Sequence, residues 1–287
     1  AASDVYKRQP VEGARCMIVD STARALLDIA GYYRSKFNVK VVGVTGSVGK
    51  TTTKDMIALV VAQKYKTLKT QGNHNNEIGM PQTLFGLDSS YEAAVIEMGM
   101  SHQGEISRMS MSCQPDVAVI TNIGISHIEN LGTQENILKA KLEILDGAAY
   151  DAPLILCRDD KLLAGVQLHS DRKVYYYSVS KKDCDVYASG VKTVDNSITF
   201  TINYEGGKIA AQINCLGEHN VKNALAAFCV GLALDIPPED IVKGIAQFKP
   251  EGLRQNVTVI DGVTYIVDCY LSLIHISEPT RRSYISY

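Results

Sequence analysis

The amino-acid sequence predicts an α/β protein with a doubly wound, mostly parallel sheet flanked by helices and extended by antiparallel strands. Short apolar runs typical of buried strands alternate with segments whose apolar residues recur at helical spacing, which favours parallel pairing. A glycine-containing turn between the first such strand and the next helix is the second indication. The 287 residues, 46% of them hydrophobic, suffice for one large core or two smaller ones.

The elements can be assigned in chain order. Apolar residues at helical spacing predict helices over 21–37, 51–63, 137–145, 221–234 and 238–248. Continuous apolar runs predict buried strands over 39–44, 93–98, 117–123 and 154–157. Beyond Lys173, short alternating segments predict an antiparallel extension over 175–179, 185–191, 197–204 and 208–215. A last strand pair is predicted over 257–260 and 263–267.

Composition excludes several functional classes. The net charge of -2 argues against a broad surface for nucleic acid or an anionic membrane, so neither is expected as a partner. No run approaches the roughly 20 apolar residues that a membrane-spanning helix needs. The seven cysteines are odd in number and contain no CxxC pair, which favours a reducing cytoplasm over a secreted disulfide framework.

The strongest local motif is a glycine-rich loop between a strand and a helix, with the sequence GVTGSVGKTT. Backbone N–H groups of such a loop surround phosphate oxygens, while Lys50 would reach the β- and γ-phosphates and Thr51 would bind Mg²⁺. The spacing is shorter than GxxxxGKS/T, and a chance glycine-rich turn is the alternative. The residues expected to hold phosphate are Gly46, Ser47, Val48, Gly49, Lys50, Thr51 and Thr52.

Two polar residues lie at the carboxyl ends of predicted buried strands. Glu97 ends an apolar strand where burial is expected, and a buried carboxylate needs a cation. His127 follows the strand 117–123, and the carboxyl ends of parallel strands are where open α/β sheets bind ligands. The alternatives are a glutamate that reaches solvent and a structural, hydrogen-bonded histidine.

Lys141 points into the apolar stripe of its predicted helix, whereas Lys139 faces water. Burial lowers the pKa of a lysine, and a neutral amine can react with CO₂ to give a carbamate, an anionic ligand for Mg²⁺. The alternative is a snorkelling lysine whose ammonium reaches the surface, and the pattern alone favours it.

Three further polar groups are candidates for binding. The loop with Asn73, Asn75 and Asn76 is denser in amides than a connection needs, although asparagines also suit ordinary turns. Asn220 opens a helix and would serve as its N-cap if it has no other role. Arg254 would either clamp phosphate or be a surface charge.

These motifs together resemble the Mur ligase family over about residues 23–270. The segments that carry the resemblance, in the order in which they occur, are TGSVGKTTTK, GNHNNEIGMPQTL, VIEMGMSHQGEI, NIGISHIENLGT, KAKLEI and GEHNVKNALAA. The second and third favour the family member that joins D-alanyl-D-alanine to UDP-N-acetylmuramoyl-tripeptide, two substrates that would then be this protein's partners.

The resemblance implies an ATP-dependent amide ligase of peptidoglycan and cell wall synthesis that works through an acyl phosphate. By family position, Lys50 would hold the β- and γ-phosphates, and Thr51 and Glu97 would bind one Mg²⁺. His127 and a carbamate on Lys141 would serve a second Mg²⁺.

The resemblance also assigns the remaining candidates. Asn223 would contact adenine, His219 and Asn220 would shape that pocket, and Arg254 would reach the nucleotide. Residues 73–76 would border the muramoyl-peptide.

The resemblance implies a fragment, expected to be monomeric, with a linker helix over 10–38, a central ATP-binding domain over 39–252 and the start of a truncated domain over 253–270. Residues 1–9 and 271–287 resemble translated sequencing-adapter read-through, with a genuine irregular tail as the alternative. We expect such a fragment to bind ATP with Mg²⁺ but not to ligate efficiently. The rival hypotheses are another Mur-type ligase, a folylpolyglutamate synthase-like enzyme, a non-catalytic nucleotide-binding module, and a fragment with no function in isolation.

Overall fold

The computed structural model describes residues 17–168, 171–250, 256–260 and 263–267. Its strands are β1 (Lys40–Thr45), β2 (Thr67–Lys69), β3 (Ala93–Glu97), β4 (Val117–Ile120), β5 (Leu154–Cys157), β6 (Val174–Ser178), β7 (Val186–Val194), β8 (Ser197–Tyr204), β9 (Gly207–Ile213), β10 (Asn256–Ile260) and β11 (Val263–Val267). Its α-helices are α1 (Thr22–Arg34), α2 (Lys50–Val61), α3 (Gly79–Leu84), α4 (Glu105–Cys113), α5 (Ile128–Leu131), α6 (Gln134–Leu142), α7 (Lys161–Ala164), α8 (Glu218–Ala233) and α9 (Pro238–Ala246).

Within these residues, one nine-stranded sheet has the order β2-β3-β1-β4-β5-β6-β7-β8-β9, and β10 pairs with β11 in a separate antiparallel hairpin. In this order, adjacent strands from β2 through β7 pair in parallel. The β7–β8 and β8–β9 pairs are antiparallel. The chain leaves β1 towards β2 and β3 on one side and returns to β4 on the other. The end of β1 is therefore a topological switch point, where open α/β sheets bind ligands.

The register places three strand ends level with one another. Val44 of β1 is paired with Glu97 of β3, and Thr45 is paired with Ile120 of β4. The segments that follow these three strands therefore gather at one edge of the sheet.

Two helices support this edge from one side. In α2, Met56, Ile57, Val60 and Val61 are fully buried, because the apolar residues recur at helical spacing on one face. The helix α8 is buried along most of its length and packs against α2. A helix that is apolar on nearly all sides belongs in a core, so α8 forms part of the core next to α2.

The predicted fold class is confirmed, but the start of the antiparallel extension was placed wrongly. The strand β6 pairs in parallel with β5, and β7 pairs in parallel with β6, so the antiparallel part begins at β7 and β8. Alternation of polar and apolar residues reports one partly exposed face, not the direction of pairing. The short crossover helix α7, which makes the parallel return possible, was not predicted, nor were β2, α3, α4 and α5.

In the described ranges, no helix combines the length and the apolar character needed to cross a membrane.

Candidate active site

The glycine-rich loop, residues 46–49, leaves β1 with a backbone that only glycine accommodates at two positions. Gly46 has φ 151°, and a Cβ on it would lie 1.9 Å from the Oγ1 of Thr121. Gly49 has φ 76°, in the left-handed region, and immediately precedes α2. The two glycines therefore allow the loop to turn tightly against the end of β4 and then enter the helix.

Side chains that follow β4 hold this loop through hydrogen bonds. The backbone N–H of Val48 donates to the Oδ1 of Asn122 over 3.0 Å, and the Asn122 Nδ2 donates back to the Val48 carbonyl over 2.8 Å. The Thr121 hydroxyl donates to the same carbonyl over 2.8 Å. The N–H of Gly124 donates to the Ser47 hydroxyl over 2.8 Å. The loop conformation is thus held by hydrogen bonds within the protein.

Lys50 folds over the loop, where its Nζ donates to the carbonyl of Gly46 over 2.9 Å and more weakly to that of Ser47 over 3.4 Å. The first helical hydrogen bond of α2 runs from the Thr53 N–H to the Gly49 carbonyl over 2.9 Å. N–H groups earlier in the first turn therefore point out of the helix end, which carries partial positive charge. This arrangement suits an anion such as phosphate.

Beside the loop lies a cavity of about 1140 Å³. Predicted site residues on its wall, apart from the loop itself, are Thr51, Thr52, His219, Asn220 and Asn223. The size and the mixture of amide, hydroxyl and imidazole groups suit a polar ligand of nucleotide size.

A buried chain of amides joins α8 to α2 at this cavity. The Thr53 hydroxyl donates to the Oδ1 of Asn223 over 3.0 Å, and the Asn223 Nδ2 donates to the Oδ1 of Asn220 over 3.0 Å. The Asn220 Nδ2 in turn donates to the Leu216 carbonyl over 2.7 Å. The N-cap of α8 is Gly217, so the alternative that Asn220 is merely the N-cap is wrong.

Glu97 is only 1% exposed, so the alternative of a strand-end glutamate that reaches solvent is wrong. Its Oε1 accepts a 2.7 Å hydrogen bond from the Nδ2 of Asn75. Its Oε2 is buried and accepts no hydrogen bond from any residue that the structure describes. A buried carboxylate oxygen without a donor is costly, and a cation at that position would remove the cost.

The asparagine loop, residues 72–78, contributes to the site through Asn75, which holds Glu97. Asn76 has a local role, because its Oδ1 accepts from the N–H groups of Ile78 and Gly79 over 3.1 and 2.8 Å. Asn73 is exposed at the surface of the loop. Contact of these asparagines with a substrate stays a prediction.

Lys141 is 3% exposed, and Lys139 is exposed, as the helical pattern predicts. The snorkelling alternative is therefore wrong. Among the described residues, Lys141 has neither a hydrogen-bond acceptor nor an acidic partner for its ammonium group. Burial, reinforced by the ammonium of Lys50, lowers the pKa of Lys141 to about 7.

His127 adopts the left-handed conformation, with φ 63°, immediately before α5. Burial, followed by the ammonium groups of Lys141 and Lys50, lowers the pKa of His127 below its ordinary value. The three basic groups are thus close enough to influence one another, and the carboxylates of Glu129 and Glu105 act on the pKa of His127 in the opposite direction.

The donor set fits Mg²⁺ that is shared with a phosphate ligand. In the described part of the chain, no three His, Cys, Asp or Glu side chains converge as a ready-made metal site. Mg²⁺ is commonly bound by one or two carboxylates together with substrate phosphates and water. The unpartnered oxygen of Glu97 and the hydroxyl of Thr51 match that pattern.

One predicted position lies outside the described residues, and other residues beside the loop and the cavity were not predicted. Arg254 lies outside the described residues, so its proposed contact stays a prediction. Asn122 was missed, although its place directly after a buried strand could have indicated it. On the cavity wall, Asp159 and Lys222 form an ion pair of 3.7 Å. No local motif in the sequence predicts this pair.

The fold and the loop define a doubly wound α/β protein with a glycine-rich, anion-suited loop at its switch point. The family model for the Mur ligase middle domain matches residues 44–231. The chain therefore belongs to the Mur ligase family, which confirms the resemblance seen in its motifs.

Individual relatives agree with this assignment. The UDP-N-acetylmuramoyl-tripeptide–D-alanyl-D-alanine ligase of Bacillus subtilis (strain 168) is 41% identical over 262 residues, which are 91% of this chain and 56% of the relative. A crystal structure of MurF from Acinetobacter baumannii has a TM-score of 0.84 and 34% identity, covering 91% of this chain and 57% of that one. MurF from Thermotoga maritima in complex with ADP has a TM-score of 0.80 and 27% identity, covering 91% and 60%. The chain thus spans somewhat more than half the length of these relatives.

Proposed function

We propose that this chain is the ATP-binding middle part of a cytoplasmic ligase that joins D-alanyl-D-alanine to UDP-N-acetylmuramoyl-tripeptide. The observation that carries the proposal is that Glu97 lies at the same edge of the sheet as the glycine-rich loop, because it is paired with Val44 near the end of β1. The Oε2 of Glu97 lacks a donor among the described residues. The names of the relatives support the substrates. The proposed domain is 39–252, preceded by a linker over 10–38 and followed by a second domain that starts at about 253.

The nucleotide would lie across the loop and the cavity. Phosphates would replace the carbonyls of Gly46 and Ser47 as partners of the Lys50 ammonium, a stronger, charge-assisted interaction. The adenine would contact Asn223, beside His219 and Asn220, which line the same cavity. ADP bound to the Thermotoga maritima relative supports this class of ligand.

Thr51 and Glu97 would hold one Mg²⁺, and His127 and Lys141 would serve a second. Magnesium, when bound, would neutralise charge on the phosphates. Asn75 would keep Oε1 of Glu97 occupied, so that Oε2 is the oxygen left for the cation.

A carbamate on Lys141 would remove the cost of a buried ammonium group that has no counter-charge among the described residues. The lone pair of the neutral amine would attack the carbon of CO₂, one carbon–oxygen π bond would become a carboxylate oxygen, and a proton would leave the nitrogen to water. The product is an anion placed beside the positive charge of Lys50, with the imidazole of His127 nearby. Its burial and lowered pKa favour the amine form that this reaction requires.

In the proposed reaction, the terminal carboxylate of the tripeptide attacks the γ-phosphorus of ATP and ADP leaves, which gives an acyl phosphate. The amine of D-alanyl-D-alanine then attacks the acyl carbon, and inorganic phosphate leaves as the amide forms. The protein supplies positioning and charge neutralisation, with Lys50 on the phosphates and residues 73–76 bordering the peptide. No protein nucleophile is required.

The experiment that tests this function measures ADP release by a complete ligase that contains this chain. We expect release to require both UDP-N-acetylmuramoyl-tripeptide and D-alanyl-D-alanine. We also expect Lys141→Ala to abolish it and short carboxylates to restore part of it. Release that ignores the dipeptide would contradict the proposal. Selectivity for a single amino acid or a folate would favour the related ligases instead, and nucleotide binding without turnover would favour a non-catalytic module.

A further inference from the structure

Glu97 lies between two segments that contact each other directly. The first is the asparagine loop, and the second is the β3–α4 turn, defined as residues 98–104. The Gly99 N–H of the turn donates to the Asn75 carbonyl over 2.7 Å, and a Cβ on Gly99 would lie 3.2 Å from the Asn75 amide. The orientation of the Asn75 side chain on Glu97 therefore depends on how the two segments are held together.

Arg108, on the first turn of α4, contacts both segments. Its Nε donates to the Oε1 of Glu77 in the asparagine loop. Its Nη1 lies 3.0 Å from the position that a Cβ on Gly104 would occupy, so the guanidinium covers the end of the β3–α4 turn. An arginine can make both contacts because its planar group presents donors in several directions.

The position of Arg108 is itself fixed by carboxylates that cap α4. Glu105 accepts from the N–H groups of Ser101 over 2.6 Å and His102 over 3.2 Å. Glu143, two residues beyond Lys141, accepts from the Gly104 N–H over 2.8 and 2.9 Å. The hydrogen bond to Glu77, and then the charges of Glu77, Glu105 and Glu143, raise the pKa of Arg108 above its ordinary value.

We propose that Arg108 is a positioning residue. It holds the asparagine loop against the β3–α4 turn and thereby fixes Asn75 on Glu97. This role rests on the proposed magnesium-binding function of Glu97. Arg108 acts through Glu77 and Asn75 and is not among the residues that line the cavity beside the glycine-rich loop. Without Arg108, Glu77 would lose its hydrogen-bond donor, and the carboxylates of Glu77, Glu105 and Glu143 would lose a shared cation.

The test uses the full 287-residue chain with Arg108→Met, Arg108→Lys and Glu77→Gln. The matched control is Arg24→Met, which removes an exposed arginine from an ion pair with Asp28 on α1. Hydrogen exchange is followed at the N–H groups of Gly79 and Gly99, which are bonded to Asn76 and Asn75. Binding of a non-hydrolysable ATP analogue is measured with and without MgCl₂.

We expect faster exchange at Gly79 and Gly99 in Arg108→Met and Glu77→Gln, with an intermediate rate in Arg108→Lys and no change in the control. The gain in analogue affinity that Mg²⁺ gives should fall about tenfold. This is the lower end of the loss in metal affinity that follows when a residue hydrogen-bonded to a metal ligand is replaced. Affinity without Mg²⁺ should not change, which separates positioning from a general loss of structure.

Unchanged exchange and an unchanged Mg²⁺ gain in Arg108→Met or Glu77→Gln would overturn the inference. If Arg108→Met does not fold, Arg108→Lys and Glu77→Gln decide the outcome. If the parent chain shows no Mg²⁺ gain at all, the magnesium-binding function fails, and the exchange rates still test whether Arg108 seats the loop.

Discussion

The side-chain amide of Asn75 donates a 2.7 Å hydrogen bond to one carboxylate oxygen of Glu97, while the other oxygen is buried without a donor among the described residues. This pairing divides the carboxylate into an oxygen that is held by the protein and an oxygen that is left for a cation. It links the asparagine loop to the edge of the sheet where β1, β3 and β4 end. The asymmetry of Glu97 is therefore the structural basis of the proposed magnesium site.

Replacing Asn75 with alanine should destabilise the protein, because both oxygens of a buried carboxylate would then lack a donor. We expect a loss of about 1–3 kcal/mol in the free energy of unfolding, measured by urea denaturation. The exposed Asn73 is the matched control, and Asn73→Ala should change stability by less than about 0.5 kcal/mol. Equal losses in the two variants would contradict the role given to Asn75.

The buried Lys141 should make the stability of the protein depend on pH in CO₂-free buffer. Its pKa is about 7 in the folded chain, below the ordinary value of 10.5. Between these values the unfolded chain binds the additional proton, so this contribution to stability rises with pH from 7 to 10.5 and is constant below 7. The slope is at most about 1.4 kcal/mol per pH unit.

Lys141→Met should remove this slope and stabilise the protein at pH 7 and below, whereas Lys139→Met, at an exposed position on the same helix, should keep it. Chemical denaturation at several pH values checks both variants. A wild-type profile that coincides with that of Lys141→Met would show that the ammonium is not penalised by burial.

Gly46→Ala should distort the glycine-rich loop, because the added Cβ would lie 1.9 Å from the Thr121 hydroxyl that holds Val48. We expect at least about 2 kcal/mol of destabilisation and a loss of ATP affinity. In Gly190→Ala, the new Cβ meets no atom within 4 Å, although φ is 62°. That control should lose about 1 kcal/mol of stability and retain its affinity for ATP. Calorimetry that finds unaltered ATP binding in Gly46→Ala would count against the loop.

Lys50→Met should weaken ATP binding about tenfold or more, because a charge-assisted contact to phosphate is lost. The pKa of Lys141 should rise at the same time, since the Lys50 ammonium contributes to lowering it. Lys40, exposed at the opposite end of β1, provides the control variant Lys40→Met, for which neither quantity should change. Titration calorimetry gives the affinities, and equal affinities for ATP in the two variants would contradict the assignment.

Local patterns were enough to predict the features that depend on one segment. The apolar run before Glu97 predicted its burial, and the helical stripe around Lys141 predicted that this lysine, unlike Lys139, points inward. The glycine-rich loop was recognised because a strand, a turn and a helix occur in immediate succession. In each case the physical cause is contained within about ten residues.

Features that join distant segments could not be predicted in this way. The contact of Asn75 with Glu97 spans 22 residues, and that of Asn122 with Val48 spans 74. Both depend on which strands become neighbours in the sheet, which the pattern of a single strand does not specify. The parallel direction of β6 was mispredicted for the same reason, because alternation reports exposure and not the partner.

The most direct test of the central claim is calorimetric titration of this chain with ATP, with and without Mg²⁺, in the parent and in Glu97→Gln. The geometry of Glu97 predicts that Mg²⁺ strengthens ATP binding in the parent and that this gain is lost in Glu97→Gln, while binding without Mg²⁺ is retained. An equal Mg²⁺ gain in the two proteins, or no ATP binding by the parent chain, would contradict the proposed site.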